Sequence, residues 1–452
     1  MRLTDLIKNL GATPLPQGDL FRSEQASEKT VERESFEPSR EAGLNALDRF
    51  LDSAGIEYRK KRNLDMGFAK HPFVSNLSPY IACGLVTSKE VIDRVLEKHS
   101  NETAGKFIQE IIWRSYWKGW LEHRPNLWQC YWDLLMNSTD SIQMTPVLDD
   151  KYRKTCQGQT DIAIFNSWVK ELKETGYLHN HARMWFASIW IFTFELPWEL
   201  GADFFYRHLL DGDPATNTLS WRWVAGLHTR GKTYLATKKN ITQFANNRLS
   251  EEDIGEAGLD RLAIKARSIT ENLPSRAFKL SGLQEKDVDY KNQQNKRAGL
   301  LLTEVDLSVR LDSGVITDIA GLKLAPRSPI GLSSEPVESF ISLAIKSTLA
   351  RMAADNNNIL VEQSQLLSIR AVVEWAKKRN LDSVLAPYAP QGPAKEALKI
   401  LQRQLLLHNI ELSEIGNAYD QHIWPHSKAG FFQLNKKIPD ILGALGVRTG
   451  TS

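Results

Sequence analysis

Tryptophan constrains this chain more than any other residue. Eleven of its thirteen tryptophans fall between Trp113 and Trp223; the other two, Trp375 and Trp424, stand far downstream. So uneven a spread points to two domains of different character. Set among those rings are Asn180, Arg183, Asp211, Asp213 and Asn217, in the runs HNHARM and LLDGDPATNTLSWRW. A charge buried without a partner is too costly to keep. These polar side chains must therefore pair with one another or hold something.

Length agrees with two domains, because 452 residues exceed what one hydrophobic core usually serves. The chain is 42% hydrophobic and 25% charged, which is a globular balance. A net charge of +3 permits an anionic partner without announcing one. Cys83, Cys130 and Cys156 are scattered, with no C-x-x-C pair. That argues against a disulfide framework or a zinc site and fits a reducing compartment; no metal is expected. The first residues, MRLTDLIKNL, lack the apolar run of a signal peptide. The most apolar stretch, Trp185 to Trp198, is broken by Glu195 and Pro197 and is too short to span a bilayer. A soluble, cytoplasmic protein with no membrane partner is expected.

Periodicity divides the chain. Residues 1–38 are polar and weakly patterned, an arm or linker. Ser39 is placed to cap a helix in which Leu44, Leu47 and Leu51 recur at helical spacing. Helical patterns continue over 89–99, 107–122, 162–174 and 182–194, and no convincing alternating strand precedes residue 250. Residues 39–250 are therefore read as all-helical, and 251–297 as a charged connector with a helix in it. From 298 to 452 the pattern changes. LLLTEVDLSV (300–309), NILVEQ (358–363), SVLAPY (383–388) and IELSEI (410–415) are strand-like, with helical runs over 366–379 and 393–408. Strands alternating with helices predict a Rossmann-like parallel α/β domain. No G-x-G-x-x-G follows any of these strands, so a dinucleotide fingerprint is absent from the sequence.

Several motifs in the helical half stand in a familiar order. EAGLNALDRFL is followed by Tyr58 and Arg62, then SNLSPYIACGLVT (75–87), FIQEIIWRSYW (107–117), ETGYLHNHARM and DGDPATNTLSWRW. Together they resemble the FAD-binding domain of the DNA photolyase/cryptochrome family. From about Leu300 the chain resembles that family's α/β antenna domain. YDQHIWPHSKAGFFQLNKKIP (419–439) resembles the segment that leads out of it. In most of the family the α/β domain comes first; here it follows. The chain thus resembles the permuted photolyase-like proteins, a bacterial branch with this circularly permuted order. Permutation is physically tolerable where domain ends lie at the surface.

The resemblance implies an FAD site. Tyr58 matches its opening, and Ser75, Leu77 and Ser78 match a phosphate loop, where hydroxyls and backbone N–H groups suit an anion. Val74 and Asn76 depart from the hydroxyl residue and arginine common there. Phe107 stands at the flavin–cleft boundary where tryptophan is frequent. Arg183 and Asp211 match a salt-bridged pair beside the ring, Asp213 a carboxylate at its polar edge, and Asn217 the residue facing N5. An amide both donates and accepts, so it can serve a ring whose protonation changes with redox state. By itself SNLSP reads as a capped helix start and DGDPATN as a turn. Lys232, Lys238 and Lys239 are read as solvated.

The same resemblance makes Trp221 and Trp198 the first two members of an electron relay. Its outer tryptophan has no counterpart between Trp132 and Trp168, where Tyr152 is one aromatic. Glu110, Trp113, Asn180, Met184 and Trp223 match a cleft that holds a flipped pyrimidine dimer. Glu110 there is a catalytic hydrogen-bonding acid, and His181 replaces a usual arginine. Two functions follow. The permuted branch implies a blue-light FAD photoreceptor acting with a light-responsive transcription regulator. The retained cleft implies a cyclobutane pyrimidine dimer photolyase acting on damaged DNA. No motif in the C-terminal half identifies an antenna chromophore.

Overall fold

The computed structural model of the chain describes residues 36–67, 71–245, 248–249, 258–270, 297–309, 316–324, 327–356 and 358–447. Most of the expected arm (1–38) and connector (251–297) lies outside the described residues. The N-terminal part is helical: α1 (Arg40–Phe50), α2 (Ile56–Lys61), α3 (Ser78–Ala82), α4 (Ser88–Lys98), α5 (Asn101–Glu122), α6 (Pro125–Gln143), α7 (Pro146–Gln157), α8 (Ala163–Thr175), α9 (Asn180–Ser188), α10 (Trp198–His208), α11 (Pro214–Val224) and α12 (Lys238–Ala245). Local chemistry sets many of these boundaries. Ser39 caps α1 by accepting from the Ala42 amide at 3.1 Å, and Thr87 with Glu90 forms a reciprocal capping box on α4. α8 ends at Gly176, whose φ of +68° is left-handed and open to glycine at little cost. α9 runs on into a single π-helical turn, Ile189–Thr193.

The second part is a five-stranded, wholly parallel sheet. Its strands are β1 (Ala298–Leu302), β2 (Ile316–Gly321), β3 (Leu360–Val361), β4 (Ser383–Pro387) and β5 (Glu411–Ile415), in the order β3-β2-β1-β4-β5. α13 (Glu335–Asp355), α14 (Ile369–Lys378) and α15 (Pro393–Leu406) connect them. α16 (Ala418–Ile423), α17 (Phe431–Asn435) and α18 (Ile438–Ala444) follow. β1 and β4 are buried along their whole lengths, as strands covered on both faces must be. The strand expected over 300–309 stops at Leu302. Beyond it the Asp306 carboxylate accepts from the Ser308 amide at 2.8 Å, an Asx turn, and Leu307 donates its amide to the Cys83 carbonyl instead. β2, in the run ITDIAG, is a strand that the periodicity did not indicate.

α5 joins the halves. Gly119 leaves room for the buried Trp424 indole; a Cβ there would lie 2.7 Å from its Cδ1. The Glu122 carboxylate accepts from the Tyr388 hydroxyl at 2.7 Å and the Gln391 amide at 2.6 Å, and Lys395 is 3.3 Å away. Tyr116 donates to the Ala429 carbonyl, and Ser115 to Asp420. Strand order reverses between β1 and β4, and a cavity of about 650 Å³ opens beyond their C-terminal ends. Asp306, Tyr388 and Asn417 line it from the sheet side, and Ser88, Arg114 and Lys118 from the helices. Among the described residues no helix is long and apolar enough to cross a membrane.

Candidate functional site

Charge organises the centre of the helical half. Arg183, one turn into α9, reaches Asp211 with both terminal nitrogens, Nη1–Oδ1 at 3.0 Å and Nη2–Oδ2 at 2.9 Å. Its Nε–H donates to the Leu178 carbonyl at 2.7 Å, which fixes the guanidinium plane. Arg114 of α5 approaches the same carboxylate at 4.0 Å, and the Ser78 hydroxyl hydrogen-bonds to it. Burial pushes the Asp211 carboxyl up, but Arg183, Arg114 and Ser78 outweigh it and hold the group below the ordinary carboxylate value. Asp213 caps α11 by accepting from the Thr216 amide at 2.6 Å, and Lys118 lies 3.9 Å from it. Asn217 is buried and donates to the Ala202 carbonyl of α10 at 2.7 Å.

Three cations, Arg183, Arg114 and Lys118, thus face two carboxylates, Asp211 and Asp213. That excess suits an anionic group such as a pyrophosphate. Asn76, beside Ser75 and Ser78, holds a φ of +53° and keeps its buried Oδ1 without a hydrogen-bond partner. Ser75 Oγ accepts weakly from the Leu77 amide at 3.4 Å. Leu77 itself is fully buried in the core and offers a ligand only its backbone. Tyr58 and Phe107 meet edge to face at 5.0 Å, with Phe50 at 5.8 Å from Tyr58, so both belong to an aromatic cluster. Burial pushes the Tyr58 phenol up and keeps it protonated. This donor set fits FAD: hydroxyls and cations for the phosphates, an amide and a fixed ion pair for the ring.

The expected cleft residues are distributed over three helices, Glu110 and Trp113 on α5, Asn180 and Met184 on α9, and Trp223 on α11, which packs on both of the others. Asn180 is exposed and Met184 half-buried, at the i, i+4 spacing that puts them on one face. Trp223 is exposed and stacks on Tyr234 at 5.7 Å. Two of the five are already engaged. Glu110 pairs with Arg62 at 2.9 Å and Lys106 at 3.0 Å. The Trp113 ring is covered by Phe431 of α17, with centroids 3.7 Å apart.

Trp221 stands one turn after Asn217 on α11 and is buried. Its ring neighbours are Phe205 at 5.1 Å, Trp190 at 6.1 Å and Phe186 at 6.4 Å. Trp198 packs on Tyr131 at 5.5 Å and faces the Arg222 guanidinium at 5.7 Å. Tyr152 of α7 meets Trp190 at 6.0 Å.

Sequence reasoning passed over other groups. Arg114 and Lys118 share a face of α5 at i, i+4 spacing, a signal masked by the tryptophans around them. Trp190 lies in the π-helical turn. A buried network behind the α9 N-terminus had no local signal at all. There Arg248 contacts Asp65 with Nη1 3.1 Å from both carboxylate oxygens and also pairs with Glu171, His71 is 2.9 Å from Glu171, and Trp168 Nε1 donates to Asp65 at 3.1 Å. His179 stacks on His71 at 5.6 Å, and burial pushes its imidazole pKa down.

Comparison with known proteins agrees with this geometry. Residues 107–248 match the FAD binding domain of DNA photolyase. The chain is similar to the deoxyribodipyrimidine photo-lyase of Vibrio cholerae, 28% identical over 178 residues, covering 37% of this chain and 36% of that one. It is also similar to the cryptochrome DASH of Idiomarina loihiensis, 27% identical over 214 residues, covering 46% and 45%. A crystal structure of a bacterial class III photolyase from Agrobacterium tumefaciens aligns with 26% identity and a TM-score of 0.38, over 46% of this chain and 43% of that one. The chain thus spans less than half the length of these relatives. The helical part of the chain thus carries an FAD-binding domain of the photolyase/cryptochrome family, and a parallel α/β sheet follows it.

Proposed function

We propose that the protein is a cytoplasmic blue-light photoreceptor of circularly permuted order, in which Trp221 donates an electron on illumination and a light-responsive transcription regulator reads the outcome. Bound FAD supplies a light-driven one-electron acceptor. The chain's own residues do the rest. Arg183 and Asp211 hold a fixed charge arrangement, Asn217 offers an amide that donates or accepts, and Ser75, Ser78, Arg114 and Lys118 provide phosphate contacts. Trp221, one turn from Asn217, is the nearest donor on that helix, and Trp198 is the second candidate. The helical part preceding the sheet supports the permuted order.

The observation that favours sensing is the state of the cleft. A base-binding acid needs a free carboxylate and a base-stacking wall needs an open ring face. Glu110 is held by Arg62 and Lys106, and Trp113 is covered by Phe431. A second reading, light-dependent repair of pyrimidine dimers in DNA, is favoured by the full set of five cleft residue types and the exposed Trp223. The relatives named deoxyribodipyrimidine photo-lyase point the same way. One experiment separates them. Purified protein is given dimer-containing DNA and, separately, a candidate regulator, in darkness and under blue light. Release or capture of the regulator only in the light supports sensing. Restoration of the DNA, slowed by Glu110→Ala, supports repair. A protein with no flavin absorption band refutes both.

A further inference from the structure

We propose that the path by which an electron reaches Trp221 runs through Trp190 and begins at Tyr152. This rests on the photoreduction reading above and names the residues that would complete it.

Fast electron exchange between aromatic side chains needs rings in van der Waals reach, leading from a buried donor towards solvent. Trp221 and Trp190 meet edge to face, 6.1 Å between centroids and 87° between planes. Trp190 and Tyr152 repeat that geometry at 6.0 Å and 86°. Gly201 marks where the two indoles converge, since a Cβ there would lie 2.3 Å from Trp221 Cη2 and 2.9 Å from Trp190 Nε1. Trp221 and Trp190 are buried, and Tyr152 is partly open to solvent.

Environment separates this branch from the one through Trp198. Trp190 donates its Nε1–H to the Pro197 carbonyl at 2.9 Å, a hydrogen bond that strengthens when the indole carries positive charge. Trp198 Nε1 is buried with no such acceptor, and a positive hole on its ring would face the Arg222 guanidinium at 5.7 Å. The rings beyond Trp198 are Tyr131, then Trp128 and Trp132, all buried. Trp190 owes its placement to the π-helical turn after α9, a local irregularity that commonly accompanies functional residues.

Trp221 loses one electron to the light-excited cofactor. Trp190 refills Trp221, and Tyr152 refills Trp190. Tyr152, whose phenol hydrogen-bonds with the Cys156 side chain, releases its proton to solvent as it loses the electron, leaving a neutral phenoxyl. An external thiol then gives a hydrogen atom to that phenoxyl, restoring the phenol and leaving a thiyl radical that couples with a second to form a disulfide.

The test is flash photolysis and electron paramagnetic resonance on the FAD-loaded full chain, wild type and ring-deuterated at tyrosine. We expect a tyrosyl signal whose lines narrow on deuteration, and its loss in Tyr152→Phe, which removes only a hydroxyl. Trp190→Phe should also abolish it, with FAD content and melting temperature recorded as controls on folding. Tyr131→Phe, on the other branch, should retain it. A tyrosyl signal that survives Tyr152→Phe, or that disappears in Tyr131→Phe, overturns the proposal. So does a long-lived signal that is wholly tryptophanyl. Failure of the broader reading looks different: Trp221→Phe would then photoreduce as fast as wild type.

Discussion

Arg183 and Asp211 meet through two parallel N–H···O contacts of 3.0 and 2.9 Å, joining the first turn of α9 to the loop before α11. The carboxylate is almost fully buried and the guanidinium mostly so, at 3% and 22% side-chain exposure. Removing one partner of a buried pair leaves the other uncompensated, at a cost of about 3 kcal/mol. Arg183→Leu should therefore lower stability by about that amount, and the purified protein should carry less FAD. Calorimetry and the flavin absorbance per chain measure the two effects. The pH dependence has a definite sign. The folded Asp211 carboxyl lies below its unfolded value of about 3.9. Its contribution is therefore complete above that pH and is lost as pH falls through the folded value. The difference between wild type and Arg183→Leu should be full near pH 7 and shrink as acid protonates the carboxyl.

Arg248 is the hinge of the buried ionic network. Its side chain is 4% exposed and faces Asp65 and Glu171, both 0% exposed. Arg248→Met leaves two buried carboxylates without their shared cation and should destabilise the fold by about 3–5 kcal/mol. Urea unfolding measures this, and a loss under about 1 kcal/mol would mean that water reaches the network.

Much of this architecture can be read along the chain, and the unread parts share a cause. The 89–99 and 107–122 patterns became α4 and all but the first six residues of α5, because caps and an apolar face are local properties. The strand-like runs at 383–388 and 410–415 became β4 and β5. α11 mixes aromatic and polar residues around its axis and so shows little periodicity, while α10 is buried from Trp198 to Tyr206 with Glu199 and Asp203 among its apolar residues. β2 contains Asp318, fully buried beside Arg297 and Arg379, a charge that masks a strand until its distant partners are known. At the site, Arg183 and Asp211 were visible as a pair through family resemblance. Arg114, Lys118 and the Phe431–Trp113 contact depend on helices and segments brought together from far apart in sequence.

Gly201 gives a test of how tightly the indoles are set. Alanine there would drive its methyl into Trp221 and Trp190, and both rings belong to a filled core that has little room to yield. Overpacking of this kind costs about 1–3 kcal/mol. Gly201→Ala should lower the urea midpoint by a corresponding amount and alter the near-ultraviolet circular dichroism of the tryptophans. A midpoint that stays put with unchanged dichroism would show that α10 can shift without disturbing either ring.

Two half-buried histidines predict how the protein responds to mild acid. Burial pushes the His208 pKa down to about 4, with Arg207 nearby adding to the effect, while a hydrogen bond to the Phe204 carbonyl partly opposes it. Burial likewise pushes His228 down to about 4, helped by Arg222 and Arg124. An unfolded histidine titrates near 6.5. Between those values the unfolded chain binds more protons than the folded one, so stability rises with pH across the interval. It should be complete above about pH 6.5 and decline as pH falls towards 4. His208 Nδ1 donates to the Phe204 carbonyl at 2.7 Å, so the neutral ring is fixed as one tautomer. His208→Gln keeps a donor of similar reach without the titration, and its melting temperature should fall less steeply from pH 6.5 to 4.5 than that of wild type. Parallel curves for the two proteins would place the acid sensitivity elsewhere, with His228 the next to replace.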